Sequence, residues 1–145
     1  MDLYFFDTSA LVKRYYKEPG TELVDELIES EASTAISSLS IIETVSAFRR
    51  KYNQEEITEV EMNSLLSEFF SEALNDFLII PLEESALQFS FNLVIEEDLR
   101  TLDSLQLSAA LSVDSEEDPI FVCADDKLVS TAENYGLETI NPQKE

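Results

Sequence analysis

Leu3-Tyr4-Phe5-Phe6-Asp7-Thr8-Ser9 is the stretch on which the fold turns. Four apolar or aromatic residues follow one another without polar alternation, which describes a strand buried on both faces. The run stops at an acid and two hydroxyls. Thr8 or Ser9 is placed to cap a helix running through Ala10-Leu11-Val12 to Tyr16. The same grammar recurs downstream. Thr34 to Ser37 reads as a second strand, and Ser38 or Ser40 then opens a helix from Leu39 to about Tyr52. Phe77 to Ile80, stopped by Pro81, is a third strand. Ile120 to Cys123 is a fourth, and Glu138 to Ile140 a short fifth. Between them, helical spacing predicts helices over 21–30, 55–75, 83–96, 101–113 and 125–135, the last closed by Gly136. The segment from Asp114 to Asp118 reads as an acidic loop. Strands alternating with helices imply βα units, a mostly parallel sheet and helices on both faces. No repeat or interdomain linker is visible, so residues 1–145 are expected to form one domain.

Composition narrows the chemistry. The chain has 145 residues, 31 Asp+Glu against 9 Lys+Arg, a net charge of −22, no histidine, one cysteine and two glycines. Without histidine there is no Ser-His-Asp triad, no Cys-His pair and no imidazole ligand. The lone Cys123 excludes an internal disulfide and a thiolate zinc site. Gly20 and Gly136 lie too far apart for a phosphate-binding glycine loop. Carboxylates, hydroxyls and a few cations remain. Hydrophobic residues at 44% still provide a core, which separates the chain from acidic disordered sequences. Asp2 stands where a secretory leader carries a basic residue, and no apolar run approaches the ~18 residues of a membrane span. A cytoplasmic protein without membrane association is expected.

Most of the acids belong to solvated helix faces. Four break that pattern. Asp7 ends the first apolar strand, and Asp125 lies two residues after Cys123 ends another. In open α/β sheets the carboxyl ends of strands form the ligand crevice. Glu43 interrupts Ile41-Ile42-Glu43-Thr44-Val45, and Asp103 sits in the first turn of a helix at Leu102-Asp103-Ser104-Leu105. Each also has a local reading. An acid at a helix N-terminus gains about 0.3–1 kcal/mol from the helix dipole, and Asp7 can cap a helix. Together at one sheet edge they would repel, tolerably only with raised pKa values or bound cations. An all-oxygen set without histidine suits Mg²⁺ or Mn²⁺ rather than zinc.

The cations are not scattered as the acids are. Lys13, Arg14 and Lys17 follow Asp7; Arg49, Arg50 and Lys51 follow Glu43; Arg100 precedes Asp103, and Lys127 follows Asp125. Helix C-termini account for part of this. A basic rim around an acidic metal pocket also suits a phosphodiester substrate, with Lys13, Arg14, Arg49, Arg50, Arg100 and Lys127 as candidate phosphate contacts.

With these residues in place, the sequence resembles PIN-domain ribonucleases of the VapC toxin kind. The resemblance rests on four motifs in order: Phe5-Phe6-Asp7-Thr8-Ser9-Ala10-Leu11-Val12-Lys13 with Glu18-Pro19-Gly20, then Ile42 to Arg50, Leu102 to Ala110, and Val122 to Leu128. It implies a three-layer α/β/α sandwich with a five-stranded parallel sheet. It implies Asp7, Glu43, Asp103 and Asp125 as the catalytic, metal-binding quartet, with Thr8 or Ser9 assisting by hydroxyl contacts. Asp125 rather than the adjacent Asp126 aligns with the last motif. The implied activity is Mg²⁺- or Mn²⁺-dependent cleavage of RNA. The implied partners are a cognate antitoxin and a second copy of the chain. Two features depart from the pattern: Cys123 stands where the family often has Thr, and the charge is unusually acidic for a nucleic-acid enzyme. Two other readings stay open. One is a haloacid-dehalogenase-like phosphatase, although Ser9 occupies the place of its second Asp. The other is a PIN-like binding module that acts through a protein partner.

Overall fold

The computed structural model describes residues 2–113 and 118–144; of the acidic loop expected at 114–118, residues 114–117 lie outside the described residues. Strand β1, Leu3–Phe6, is followed by a short helix α1, Thr8–Leu11, and a 3-10 turn, Val12–Arg14. Then come α2, Thr21–Glu29, β2, Ser33–Ser37, α3, Ser38–Asn53, and α4, Glu59–Asp76. Strand β3, Leu78–Ile80, precedes α5, Glu84–Glu97, and α6, Thr101–Leu111. Strand β4, Ile120–Val122, α7, Asp126–Asn134, and β5, Thr139–Ile140, close the chain. The five strands form one sheet in the order β3-β2-β1-β4-β5, and every pairing is parallel. The sheet is therefore wholly rather than mostly parallel. Among the described residues no helix is long and apolar enough to cross a membrane.

Period-two side-chain alternation sorts the continuous apolar strands onto two faces. Phe5, Ala35, Phe121 and Cys123 point into a core completed by Leu93, Leu107, Leu128 and Ala132 of α5, α6 and α7. Phe6, Ile36 and Val122 point into the other, completed by Leu11, Val24, Phe48 and Phe69 of α1 to α4. This is the α/β/α sandwich. Phe5 and Phe121 stack with centroids 6.0 Å apart across the central pair β1/β4. A buried phenylalanine contributes about 1.5–3 kcal/mol, so these strands are anchored where the site must be rigid.

Helix starts differ from the sequence expectation for one physical reason: the cap is a residue at, or one to three residues past, the end of the preceding strand. Asp7, not Thr8 or Ser9, caps α1 by accepting from Ser9 N. Ser37 caps α3, one residue before Ser38, and Asp125 caps α7 through Leu128 N. Helix α1 also tightens to 3-10 after Leu11 rather than running to Tyr16. Helix α4 starts at Glu59, four residues later than expected. Glu55 at φ 60° interrupts the helix, and Thr58 with Glu61 forms a capping box that restarts it. Gly20 is required at its position. Its φ is +100°, and a Cβ there would lie 2.9 Å from Pro142 O, so it lets the C-terminal segment close over α2.

Candidate metal centre

The order β3-β2-β1-β4-β5 reverses direction at β1, so the carboxyl ends of β1 and β4 border the crevice. Asp7 follows β1 directly, and its N–H donates to Val122 O of β4 at 3.0 Å. Its carboxylate is buried. Three donors converge on one oxygen, Oδ2: Ser9 N at 3.3 Å, Ser9 Oγ at 2.5 Å and the Cys123 thiol at 3.5 Å. Burial pushes the Asp7 carboxyl up to about 6; the Ser9 hydrogen bond opposes this, and the charges of Asp103 and Glu43 add to it. Asp103 and Glu43, both singled out from sequence, thus lie within electrostatic reach of Asp7.

Glu43 is in the second turn of α3. Its Oε1 accepts from Thr8 Oγ1 at 2.8 Å and from Gln106 Nε2 at 2.7 Å. Ser40 Oγ lies 2.9 Å from Thr8 Oγ1 and accepts from Gln106 Nε2 at 2.8 Å. Asp103, in the first turn of α6, accepts from Arg100 Nε and Nη2, both at 3.2 Å. Asp125 spends Oδ1 on the cap of α7, while its Oδ2 lies 3.9 Å from Arg100 Nη2. Asp126 points elsewhere and is engaged by Lys144 at 2.9 Å and Asn141 at 3.2 Å.

Cys123 stands where the resemblance led to a Thr hydroxyl. Its thiol is fully buried, and burial together with the nearby Asp7 charge pushes its pKa up, so it remains a neutral S–H. It donates to Asp7 and accepts from Asp125 N at 3.3 Å. Ser9 Oγ likewise accepts from Ala124 N at 3.1 Å. Two side chains therefore tie the end of β1 to the end of β4.

The basic rim expected from sequence is only partly assembled. Arg100 alone, among the described residues, makes ion pairs with the quartet. Lys13 is buried and pairs with Glu18 at 3.3 Å. Arg14 is held by Glu72, Asp25 and Glu29 on α2 and α4. Arg49 lies over the Tyr52 ring, Arg50 donates to Ser46, and Lys127 engages Asp98. Proximity in sequence misleads here because successive residues on one helix face different directions. Gln106 has no sequence-based expectation at the site, Ser40 only one as a helix start, and Cys123 only one as a departure from the Thr of the resemblance. A neutral amide three residues after Asp103 was the available signal, since i and i+3 share a helix face.

The donor set fits a hard divalent cation: carboxylate oxygens, no imidazole, and mutual repulsion that a cation relieves. Among the described residues, no three acidic or thiol side chains stand close enough to ligate one ion. Asp103 and Asp125 share the Arg100 guanidinium instead, which stands between their carboxylates.

Residues 4–134 match the family described as PIN domain. No curated protein sequence matches the chain. Among solved structures, a toxin–antitoxin complex from Klebsiella pneumoniae aligns with TM-score 0.65 at 17% identity, over 96% of this chain and 97% of that one. VapBC2 from Rickettsia felis, bound to a promoter DNA fragment, aligns with TM-score 0.64 at 20% identity, over 95% and 97%. PAE2754 from Pyrobaculum aerophilum aligns with TM-score 0.70 at 19% identity, over 95% and 83%. At these identities the likeness concerns the fold.

Proposed function

The chain belongs to the PIN domain family, whose members are generally nucleases, and on that premise we propose that it is a metal-dependent endoribonuclease, the toxin of a toxin–antitoxin pair. The observation that carries the reading is Asp7. A carboxylate buried at the sheet's carboxyl edge, with the charges of Asp103 and Glu43 raising its pKa further, destabilises the fold unless a cation joins it. Asp7, Glu43, Asp103 and Asp125 are the residues that would hold Mg²⁺ or Mn²⁺. Such an ion, when bound, supplies the charge neutralisation and the activated water that hydrolysis without histidine requires.

The chain's own groups do the positioning. Ser9 and Cys123 hold Asp7 by one oxygen, and Thr8 does the same for Glu43. Arg100, with its side chain 80% exposed, is free to turn from Asp103 and Asp125 to a phosphate. The same pair of acids accepts a guanidinium, so a basic antitoxin side chain suits the position Arg100 occupies.

Cleavage of total RNA by the purified chain with Mn²⁺ or with EDTA tests the activity. Cutting is expected with Mn²⁺ and not with EDTA. Glu43→Gln is expected to reduce it by about 100-fold or more while the chain still folds. Cutting that survives EDTA or Glu43→Gln overturns the reading. A chain inert with Mn²⁺ that also binds none is the non-catalytic binding module.

A second copy also fits one surface. Residues 85–95 of α5 carry no charge in a chain of net −22. They expose a stripe of Leu87, Phe91 (65% exposed) and Ile95 (82%). Two such acidic chains can pack where neither brings a carboxylate, and the stripe is apolar enough to drive contact. Phe91→Glu is therefore expected to convert a dimer to a monomer in sedimentation velocity. A monomeric parent chain at tens of micromolar counts against this interface.

A further inference from the structure

We infer that Gln106 is a positioning residue for Glu43, setting that carboxylate's orientation toward the metal. The inference rests on the proposed metal-binding role of the quartet. Gln106 lies one turn after Asp103 on α6 and is 1% exposed. Its Nε2 donates to Glu43 Oε1 at 2.7 Å and Ser40 Oγ at 2.8 Å, with Thr8 Oγ1 at 3.1 Å. All of its donor capacity is spent on the site. Its carbonyl Oε1 is buried with no hydrogen-bond partner.

That orphan is informative. Turning the amide over would bring the carbonyl oxygen to the Ser40 and Thr8 hydroxyls, whose single protons are already committed, Thr8's to Glu43 and Ser40's to Thr8. It would also bring that oxygen against the Glu43 carboxylate, where two acceptors repel. Glu43 thus dictates the amide's orientation, and the unpaired carbonyl is its cost to stability. A residue kept for stability alone would be better replaced by an apolar side chain of similar volume. With Gln106 and Thr8 both on Oε1, Glu43 has one oxygen held, and Oε2 has no protein donor among the described residues. The amide also spans from α6, which carries Asp103, to α3, which carries Glu43, and so sets their spacing. Partners that orient a ligand in this way are typically worth 10–100-fold in metal affinity.

Calorimetric titration with MnCl₂ tests this on the full chain, its Gln106→Leu, Gln106→Met and Glu43→Gln variants, and the Gln106→Leu/Glu43→Gln double variant. Each is also melted without metal. Both Gln106 variants are expected to raise the Mn²⁺ Kd about tenfold while melting at or above the parent temperature, because the orphan carbonyl is gone. The double variant is expected to bind no more weakly than Glu43→Gln alone, since nothing remains to position. Parent-like Mn²⁺ affinity in both Gln106 variants overturns the role. So does a lowered melting temperature combined with losses that add in the double variant. If the parent chain binds no Mn²⁺, or Glu43→Gln binds it as the parent does, the metal reading itself fails and takes this role with it.

Discussion

Asp7→Asn is expected to stabilise the protein at neutral pH and abolish cleavage at once. Burial first, and then the Asp103 and Glu43 charges, outweigh the Ser9 hydrogen bond and raise the carboxyl from 3.8 to about 6. A carboxyl that holds its proton more tightly when folded favours the fold in acid. That advantage is complete below the unfolded pKa and is lost as pH rises through the folded one. Above pH 6 the ionised Asp7 therefore costs on the order of 3 kcal/mol, at 1.36 kcal/mol per pH unit. Asparagine keeps the shape, still accepts from Ser9 N as a cap, and carries no charge. At about 3 °C per kcal/mol for a chain of this size, the midpoint at pH 7.5 is expected to rise by roughly 5–10 °C. The gain should shrink through pH 6 and vanish below about pH 4. Mn²⁺ is expected to raise the melting temperature of the parent chain, by mass action, and not that of the variant. Equal midpoints at pH 7.5, or cleavage by Asp7→Asn, would remove Asp7 from the site.

The largest loss of stability is expected at Arg14, far from the chemistry assigned to it from sequence. Its guanidinium meets Glu72 through two nitrogens at 3.1 and 2.9 Å, Asp25 at 3.0 Å and Glu29 at 2.8 Å, while Tyr15 also donates to Glu72 at 2.8 Å. Burial raises the Glu72 carboxyl, but the Arg14 and Tyr15 hydrogen bonds overcome that and hold it below its ordinary value. Removing one partner of a half-buried, bidentate pair strands the other charge in a poor environment. Three acids left facing one another add repulsion. Arg14→Met keeps the stem and removes the charge. It is expected to cost about 2–4 kcal/mol, or roughly 5–10 °C of melting temperature at pH 7.5. A group with a lowered folded pKa contributes stability above its unfolded pKa and loses it as pH falls. The penalty should therefore shrink as pH falls below the ordinary carboxylate value of 4.5 and Glu72 takes up its proton. A shift under 1 °C at pH 7.5 would show the cluster to be ornamental. A change in RNA affinity beyond that stability loss would return Arg14 to the substrate-binding set.

Much of this could be read from local pattern. Leu3 to Phe6 and Ile120 to Val122 form strands because uninterrupted apolar runs have no solvent face to present. The acids following them fall at the crevice because chain direction and sheet polarity leave no other edge. Element boundaries were harder. Whether Asp7 or Thr8 caps α1 depends on which side chain bends back, and spacing does not encode that. The cations went astray for a related reason. Arg14 and Glu72 are 58 residues apart, and only packing the 3-10 turn, α2 and α4 on one face brings them together.

By itself, the sequence determined the class of fold, a mostly parallel sheet and the positions of four acids at strand ends and helix starts, since those follow from periodicity, polarity and charge. Tertiary structure alone decided that Asp7 is buried beside two of the others and that Arg100 sits between Asp103 and Asp125. It alone decided that Gln106 reaches Glu43 across 63 residues of chain. Hydrogen bonds and desolvation depend on distances of a few ångströms, and distances between remote residues exist only once the layers have closed.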